Sequence, residues 1–366
     1  MKVRGNIISR GGGGSDVQMR SGGVCERNLF LMNEKGVIMG GSQDSPPHHD
    51  DGLVIDNVFL HDEHFVPPGG FTNAVTAEWY TRDLIVKDNI VARYMSSYGV
   101  AGPIDVSGKM YYSDAQPEAF ARFIGVVGNE LDIDGGKYPM RVRNYTGTDI
   151  LDLVFTGNTI WKGSQLDDNP NFRPWMVYSE FFDPSANRSD EPWDWSGNDY
   201  GSSIPGANFR LPNNEVDLAA WQAAGYDSGS TLHPDRAALK AAAGWTDPDR
   251  SILTYMQAVD PTYVVNEDVY VDDGSSGQKQ AVRQKVWEVI APNVGEATAK
   301  LIARNYHAFL AFIEKARNNR KGAWDSRWTA EAVNNYIREG YGKPAVAGPY
   351  TADLSNVPAL VAEVSA

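Results

Sequence analysis

GNIIS at residues 5–9 and RNLFL at residues 27–31 are one phrase written twice: an Asn flanked on its C-terminal side by apolar residues. The phrase returns as DNVFL at 56–60, DNIVA at 88–92, GNELD at 128–132 and GNTIW at 157–161. Successive Asn residues stand 22, 29, 32, 40 and 29 positions apart, so a unit near 22 residues is lengthened by insertions. Between them lie short apolar runs broken by Gly, such as VIMGG, RFIGVVG and LDLVFTG, with no helical periodicity. A strand-rich unit of this length cannot bury its apolar face alone and must stack on its neighbours, which predicts a parallel β-solenoid. An Asn at one fixed corner can then bond its side-chain amide to the Asn of the next unit, forming a ladder. A chain that starts inside its first unit exposes one end of the stack unless a cap, a preceding segment or a partner covers it.

These Asn-apolar phrases resemble the right-handed parallel β-helix proteins of the pectate lyase and polygalacturonase kind. Asn213 to Ser230 strengthens the likeness: Leu218-Ala219-Ala220-Trp221-Gln222, then Gly225-Tyr226-Asp227-Ser228-Gly229-Ser230, is similar to a segment near the end of many bacterial β-helix proteins that act on polysaccharides. The resemblance covers roughly residues 3 to 232. It implies the fold and a carbohydrate ligand more firmly than any one reaction, because lyases, hydrolases, epimerases and non-catalytic spikes share the architecture.

From Ser230 the texture changes. Residues 235–243, 282–290, 297–318 and 329–339 carry helix formers with apolar residues three to four apart. His233-Pro234-Asp235-Arg236 and Asp247-Pro248-Asp249-Arg250 read as helix entries. The expected organisation is a mainly β domain over 1–232, an α-helical lobe over 233–344 packed on its flank, and an extended tail over 345–366. Asp272 to Gly277 reads as a loop within the lobe.

Composition excludes several classes of partner. The 366 residues are 42% hydrophobic and 11% aromatic, enough for a sizeable core. Lys and Arg number 33 against 47 Asp and Glu, a net charge of −14 that repels phosphate backbones and anionic membrane surfaces. Nucleic acid is therefore not an expected partner. No apolar run reaches the roughly 20 residues of a membrane span, and Met1-Lys2-Val3-Arg4 leads into repeat sequence rather than a signal peptide. The location implied by the resemblance is secreted, periplasmic or cell-surface, so export would use another route or the chain is part of a longer product. The single cysteine, Cys25, excludes an intrachain disulfide and reads as a small buried hydrophobe.

In such a fold the coils are scaffold and chemistry sits on the longer connections. Four of the six His, at 48, 49, 61 and 64, lie close together in sequence with Asp50, Asp51, Asp62 and Glu63 between them. His49, Asp50, Asp51 and His61 are candidate acids and bases, and Asp62, Glu63 and His64 candidate ligands of a divalent metal; a solvated surface loop is the alternative. Calcium is expected over zinc, because no His pair has helical i, i+4 spacing; Asp132-Ile133-Asp134-Gly135-Gly136 resembles the start of a calcium loop without the rest of its ligand set, the alternative being a plain turn.

If Lys137 to Tyr145 is extended, Lys137, Arg141, Arg143 and Tyr145 share one side and Met140, Val142 and Asn144 the other. A basic face in an acidic protein suits a uronate polymer, or it pairs with acids nearby. In β-elimination a cation neutralises the substrate carboxylate, and a base then removes the acidified C5 proton. Lys137 or Tyr145 would be that base, with Arg141 and Arg143 as the clamp. Trp79, Trp193, Trp195 and Tyr200 are candidate sugar platforms, since flat rings stack on pyranose faces, or else packing residues. The function implied is a polysaccharide lyase acting on an acidic glycan. Its alternatives are a glycoside hydrolase with two carboxylates among Asp50, Asp51, Asp62 and Glu63, and a non-catalytic glycan-binding spike. Oligomeric state stays open, a trimer suiting a spike and a monomer a lyase.

Overall fold

The computed structural model describes residues 1–9, 16–19, 22–33, 35–40, 51–60, 73–77, 81–94, 103–107, 121–133, 139–143, 150–163, 175–180, 194–203, 208–210, 215–223, 225–272 and 283–364. The chain runs through three sheets in turn and repeats the circuit. Circuit one holds β1 (Lys2–Arg4), β2 (Ile7–Ser9) and β3 (Val17–Met19); circuit two, β4 (Gly23–Glu26), β5 (Leu29–Leu31) and β6 (Lys35–Met39). There follow β7 (Gly52–Ile55), β8 (Val58–Leu60) and β9 (Asn73–Ala77), then β10 (Arg82–Lys87), β11 (Ile90–Tyr94) and β12 (Ile104–Ser107). The fifth comprises β13 (Ala121–Val127), β14 (Glu130–Ile133) and β15 (Met140–Arg143), and the sixth β16 (Ile150–Thr156), β17 (Thr159–Lys162) and β18 (Trp175–Glu180). The seventh is β19 (Asp194–Ser196), β20 (Asp199–Ser202) and β21 (Asn208–Arg210). Each strand pairs in parallel with its counterpart one circuit on, giving sheet A from β1 to β19, sheet B from β2 to β20, and sheet C from β3 to β21. A last strand, β23 (Thr231–His233), adds in parallel to sheet B, whereas β22 (Glu215–Val216) pairs antiparallel with β21.

The corner between sheets A and B is always two residues, and its chemistry explains the repeated phrase. Gly5, Arg27, Asp56, Asp88, Gly128, Gly157 and Gly197 each sit at φ between 53° and 66°, the left-handed region that Gly and Asp tolerate best. The next residue is the Asn. Its Nδ2 donates to Oδ1 of the following Asn, at 3.2 Å from Asn6 to Asn28, 3.0 Å for each link from Asn28 through Asn57, Asn89 and Asn129 to Asn158, and 3.1 Å from Asn158 to Asn198. The same Nδ2 reaches a carbonyl of the preceding circuit, such as Val54 O from Asn89 at 2.8 Å. The six predicted Asn form this column, and Asn198, hidden behind the aromatic segment in the sequence, is a seventh. The column ends where Asn198 Nδ2 donates to Asp227 Oδ1 at 3.0 Å and its backbone N–H to Ser230 Oγ at 2.7 Å.

Alternate residues of all three sheets point into one core, with Phe30 and Phe59 stacked at 4.4 Å. The Trp-Gln segment closes its far end. Helix α1 (Leu218–Ala223) lays Trp221 over Phe209 at 5.3 Å and beside Trp195 at 5.7 Å, while Gln222 Nε2 donates to the carbonyls of Asp227 and Ser230.

The C-terminal helices are α2 (Arg236–Ala243), α3 (Ile252–Val259), α4 (Val286–Val294), α5 (Glu296–Asn319), α6 (Ala330–Gly340) and α7 (Val357–Val364). Asp235 caps α2 and Ser251 caps α3. Helices α2 to α6 form a second core over the outer face of sheet B, built on Leu31, Leu60, Ile90, Trp161, Phe309, Phe312 and Ile337. Two sequence expectations are corrected. Arg283–Lys285 is a strand pairing with Tyr270–Asp272, so α4 starts later than residue 282. The tail is extended only to Asp353: a 3-10 turn at Leu354–Asn356 leads into α7, whose Val357, Leu360, Val361 and Val364 pack on Leu53, Ile85 and Phe123 of sheet A. Among the described residues no helix is long and apolar enough to cross a membrane.

Candidate functional site

Sheets A and B carry the C-terminal helices on their outer faces, and every A-to-B corner is the same tight turn. The connections that vary in length lead into and out of sheet C: Leu60 to Asn73, Tyr94 to Ile104, Ser107 to Ala121, Lys162 to Trp175 and Glu180 to Asp194. Sheet C is therefore the surface around which insertions gather.

Across it, one register row reads Thr76, Asp105, Arg141, Tyr178 and Arg210 on successive strands. Its neighbours Val106 and Val142 point into the core, so Asp105 and Arg141 lie on the opposite side of their strands. Arg141 grips Asp105 with two bonds, Nε to Oδ1 at 3.0 Å and Nη2 to Oδ2. Asn73 Nδ2 donates to Thr76 Oγ1 at 2.7 Å and reaches Asp105 Oδ2 at 3.5 Å. Asp105 and Arg141 are 1% and 4% exposed, so each charge depends on the other. A second row places Ser107, Arg143 and Glu180 in register. Sequence reasoning missed Asp105; the signal was a lone acid inside the apolar run Ile104-Asp105-Val106.

The structure redistributes the predicted residues. Arg141 and Arg143 fall on β15 as expected, but Arg141 is committed to Asp105 and does not stand as an open clamp. Asp51 lies at φ 66° just before β7, where its carbonyl accepts from Gly23 N–H at 3.2 Å. Trp195 and Tyr200 are corrected. Trp195 is 4% exposed and packs edge-on against Phe155, and Tyr200 is fully buried with its hydroxyl donating to Asp227 Oδ2 at 2.7 Å; neither has a free ring face for a sugar. Burial first, and then the Asp227 carboxylate, hold the Tyr200 phenol well above its usual range. Lys137, Tyr145, His49, Asp50, His61, Asp62, Glu63, His64, Trp79 and Trp193 lie outside the described residues.

Of the segment that resembles a calcium loop, Asp134 to Gly136 lie outside the described residues and Asp132 is engaged elsewhere. Asp132 is on β14, fully buried beneath the helical lobe, where its Oδ2 accepts from Arg236 at 2.7 Å and from the Tyr341 hydroxyl at 2.8 Å. Two residues earlier Glu130 accepts from Trp245 Nε1 at 2.8 Å and pairs with Lys343 at 2.7 Å. These carboxylates fasten the lobe to sheet B. Burial raises the Glu130 carboxyl, with Lys343 and Trp245 opposing. Among the described residues no group of three or more His, Cys, Asp or Glu is placed to hold a metal.

Comparison of the chain with protein-family models, with curated proteins and with solved structures gives no match.

Proposed function

We propose that the chain is a right-handed parallel β-helix protein that cleaves an acidic polysaccharide by β-elimination on the sheet C side. The observation that supports this reading is the second register row of sheet C, Ser107, Arg143 and Glu180, next to the buried Asp105–Arg141 pair and bordered by the connections of variable length. Because Thr76, Asp105 and Arg141 are buried, a uronate polymer running across strands about 4.8 Å apart would follow the row of Arg143 and not that pair. Arg143, one register step from the Asp105–Arg141 pair, takes the role of carboxylate clamp. Lys137 or Tyr145 removes the C5 proton; the C5–H electron pair forms the C4–C5 double bond, the C4–O bond breaks, and the departing oxygen takes up a proton. The oxygen-rich donors Asp62 and Glu63, with His64, would suit calcium and supply a further cation beside the substrate carboxylate. A polysaccharide substrate places the protein outside the cytoplasm.

The test is incubation with uronate, sulfated and neutral glycans, with and without chelator. Elimination gives an unsaturated product absorbing in the near ultraviolet, and Lys137→Ala or Arg143→Ala should lower its rate by about 10²-fold. Reducing ends without that absorbance would identify a hydrolase, and neither signal a binding protein. Rates unchanged in both variants would sink the base and clamp assignments. Arg141→Ala serves as the contrast, since it leaves Asp105 buried without its partner and should lower stability by about 3–5 kcal/mol.

A further inference from the structure

The end of α5 holds a surface that chemistry on sheet C does not use. Arg317 lies in its last turn, and Arg320 and Lys321 come directly after the helix; all three are exposed and, among the described residues, form no ion pair. The neighbouring cations are already committed, Lys315 to Asp260 at 2.7 Å and Arg327 to Asp325 at 2.8 Å. Glu314 is the remaining acid of the stretch, which leaves a local positive excess on a molecule of net charge −14. A helix C-terminus favours cations, and that accounts for Arg317. It does not account for the aromatic ring displayed beside them.

Trp324 is 71% exposed. The loop presenting it is closed by a reciprocal clasp: Asn319 Nδ2 donates to Asp325 O at 2.8 Å, and Asp325 N–H donates to Asn319 Oδ1 at 2.7 Å. Asn319 is itself buried, so the base of the loop is anchored while the indole stands in water. An exposed large ring on a tied loop, beside unpaired cations, combines a flat apolar platform with anion-pairing groups.

We propose that Arg317, Arg320, Lys321 and Trp324 form a second contact site for an anionic glycan chain, the indole stacking on a pyranose face and the cations pairing with carboxylates or sulfates. The local positive excess calls for an anionic ligand, and the overall charge of −14 weighs hardest against the densest polyanion, duplex DNA with one charge per about 1.7 Å. Three cations on so acidic a molecule neutralise too few phosphates for useful affinity, and the remaining field opposes a polyphosphate. The site shares its ligand class with the lyase reading but stands on different residues.

Affinity electrophoresis of the full chain through gels containing polygalacturonate, alginate, chondroitin sulfate or dextran tests it, with duplex DNA as a further arm. The expected result is retardation by at least one anionic glycan and none by dextran or DNA. Trp324→Ala should weaken it about tenfold, Trp324→Phe should retain most of it, and the triple Ala variant at 317, 320 and 321 should flatten its salt dependence. Unchanged melting temperatures in these variants separate lost binding from lost fold. Equal retardation of wild type and Trp324→Ala, no retardation by any anionic glycan, or equal retardation by DNA overturns the proposal. Elimination without Trp324-dependent binding sinks only this site; Trp324-dependent binding without elimination sinks only the lyase reading.

Discussion

Asn89 shows how much one side chain in the column satisfies. Its Oδ1 accepts the backbone N–H and the Nδ2 of Asn57, each at 3.0 Å, while its own Nδ2 reaches Val54 O, Lys87 O and Asn129 Oδ1. Truncation to Ala leaves donors on Asn57 and acceptors on the neighbouring circuits buried without partners. Asn89→Ala should therefore cost about 2–4 kcal/mol in urea unfolding, while Asn6→Ala, at the partly exposed end, should cost under about 1 kcal/mol. Equal losses at both positions would show that the ladder is not what the column contributes. At the other end Asp227 replaces the next amide: an acceptor-only group takes Asn198, Tyr200 and Ser230 at once. Burial raises its carboxyl, and the bonds from Ser230, Asn198 and Tyr200 oppose that rise.

Between elements, Asp260 ties the end of α3 to α5. It accepts from Lys315 Nζ at 2.7 Å, from the Thr262 hydroxyl at 2.6 Å and from the Thr262 backbone at 3.0 Å. The Lys315 bond first, and then the Thr262 hydroxyl, hold the carboxyl down at about 2 against an ordinary value of 3.8. A depressed folded-state value means the unfolded chain binds the proton first as pH falls. The contribution is thus complete above about pH 4 and is lost on descending to about pH 2. Asp260→Asn should remove that component, so urea midpoints of wild type and variant should converge between pH 4 and 2; parallel curves over that window would refute the assignment. Helix α7 owes its form to the surface it packs on. Its sequence, VPALVAEV, carries a short apolar stripe that says little by itself, and it became a helix because the outer face of sheet A offered Leu53, Ile85 and Phe123 to bury against.

For the whole molecule, stacked circuits leave two ends to close, and Trp221 closes one. It is 1% exposed and touches the rings of Trp195, Phe209 and Tyr226. Trp221→Ala should cost about 3–5 kcal/mol and open the apolar end of the stack, giving concentration-dependent association by light scattering. A stable, monodisperse variant would show that the cap lies elsewhere. The repeat was legible in the sequence because every A-to-B corner needs a left-handed residue, Gly, Asp or once Arg, followed by Asn, and a rule applied seven times leaves a visible mark. Asn198 escaped because its corner comes after Trp193-Asp194-Trp195-Ser196, a run that reads as a sugar platform. Trp195 and Tyr200 reversed their predicted role for a related reason: on a strand, alternate residues face opposite ways, and only register against β16 and β17 tells which side is the core. By itself the sequence determined that strands stack in circuits with an Asn at each A-to-B corner, and that helices come after them, since both are local periodicities. Only the tertiary structure decided that Asp105 neutralises Arg141 across 36 residues, that Asp132 anchors the lobe, and that the helices cover sheets A and B. Those pairings depend on which strands become neighbours, and insertions of unequal length between the circuits erase that register from any linear pattern.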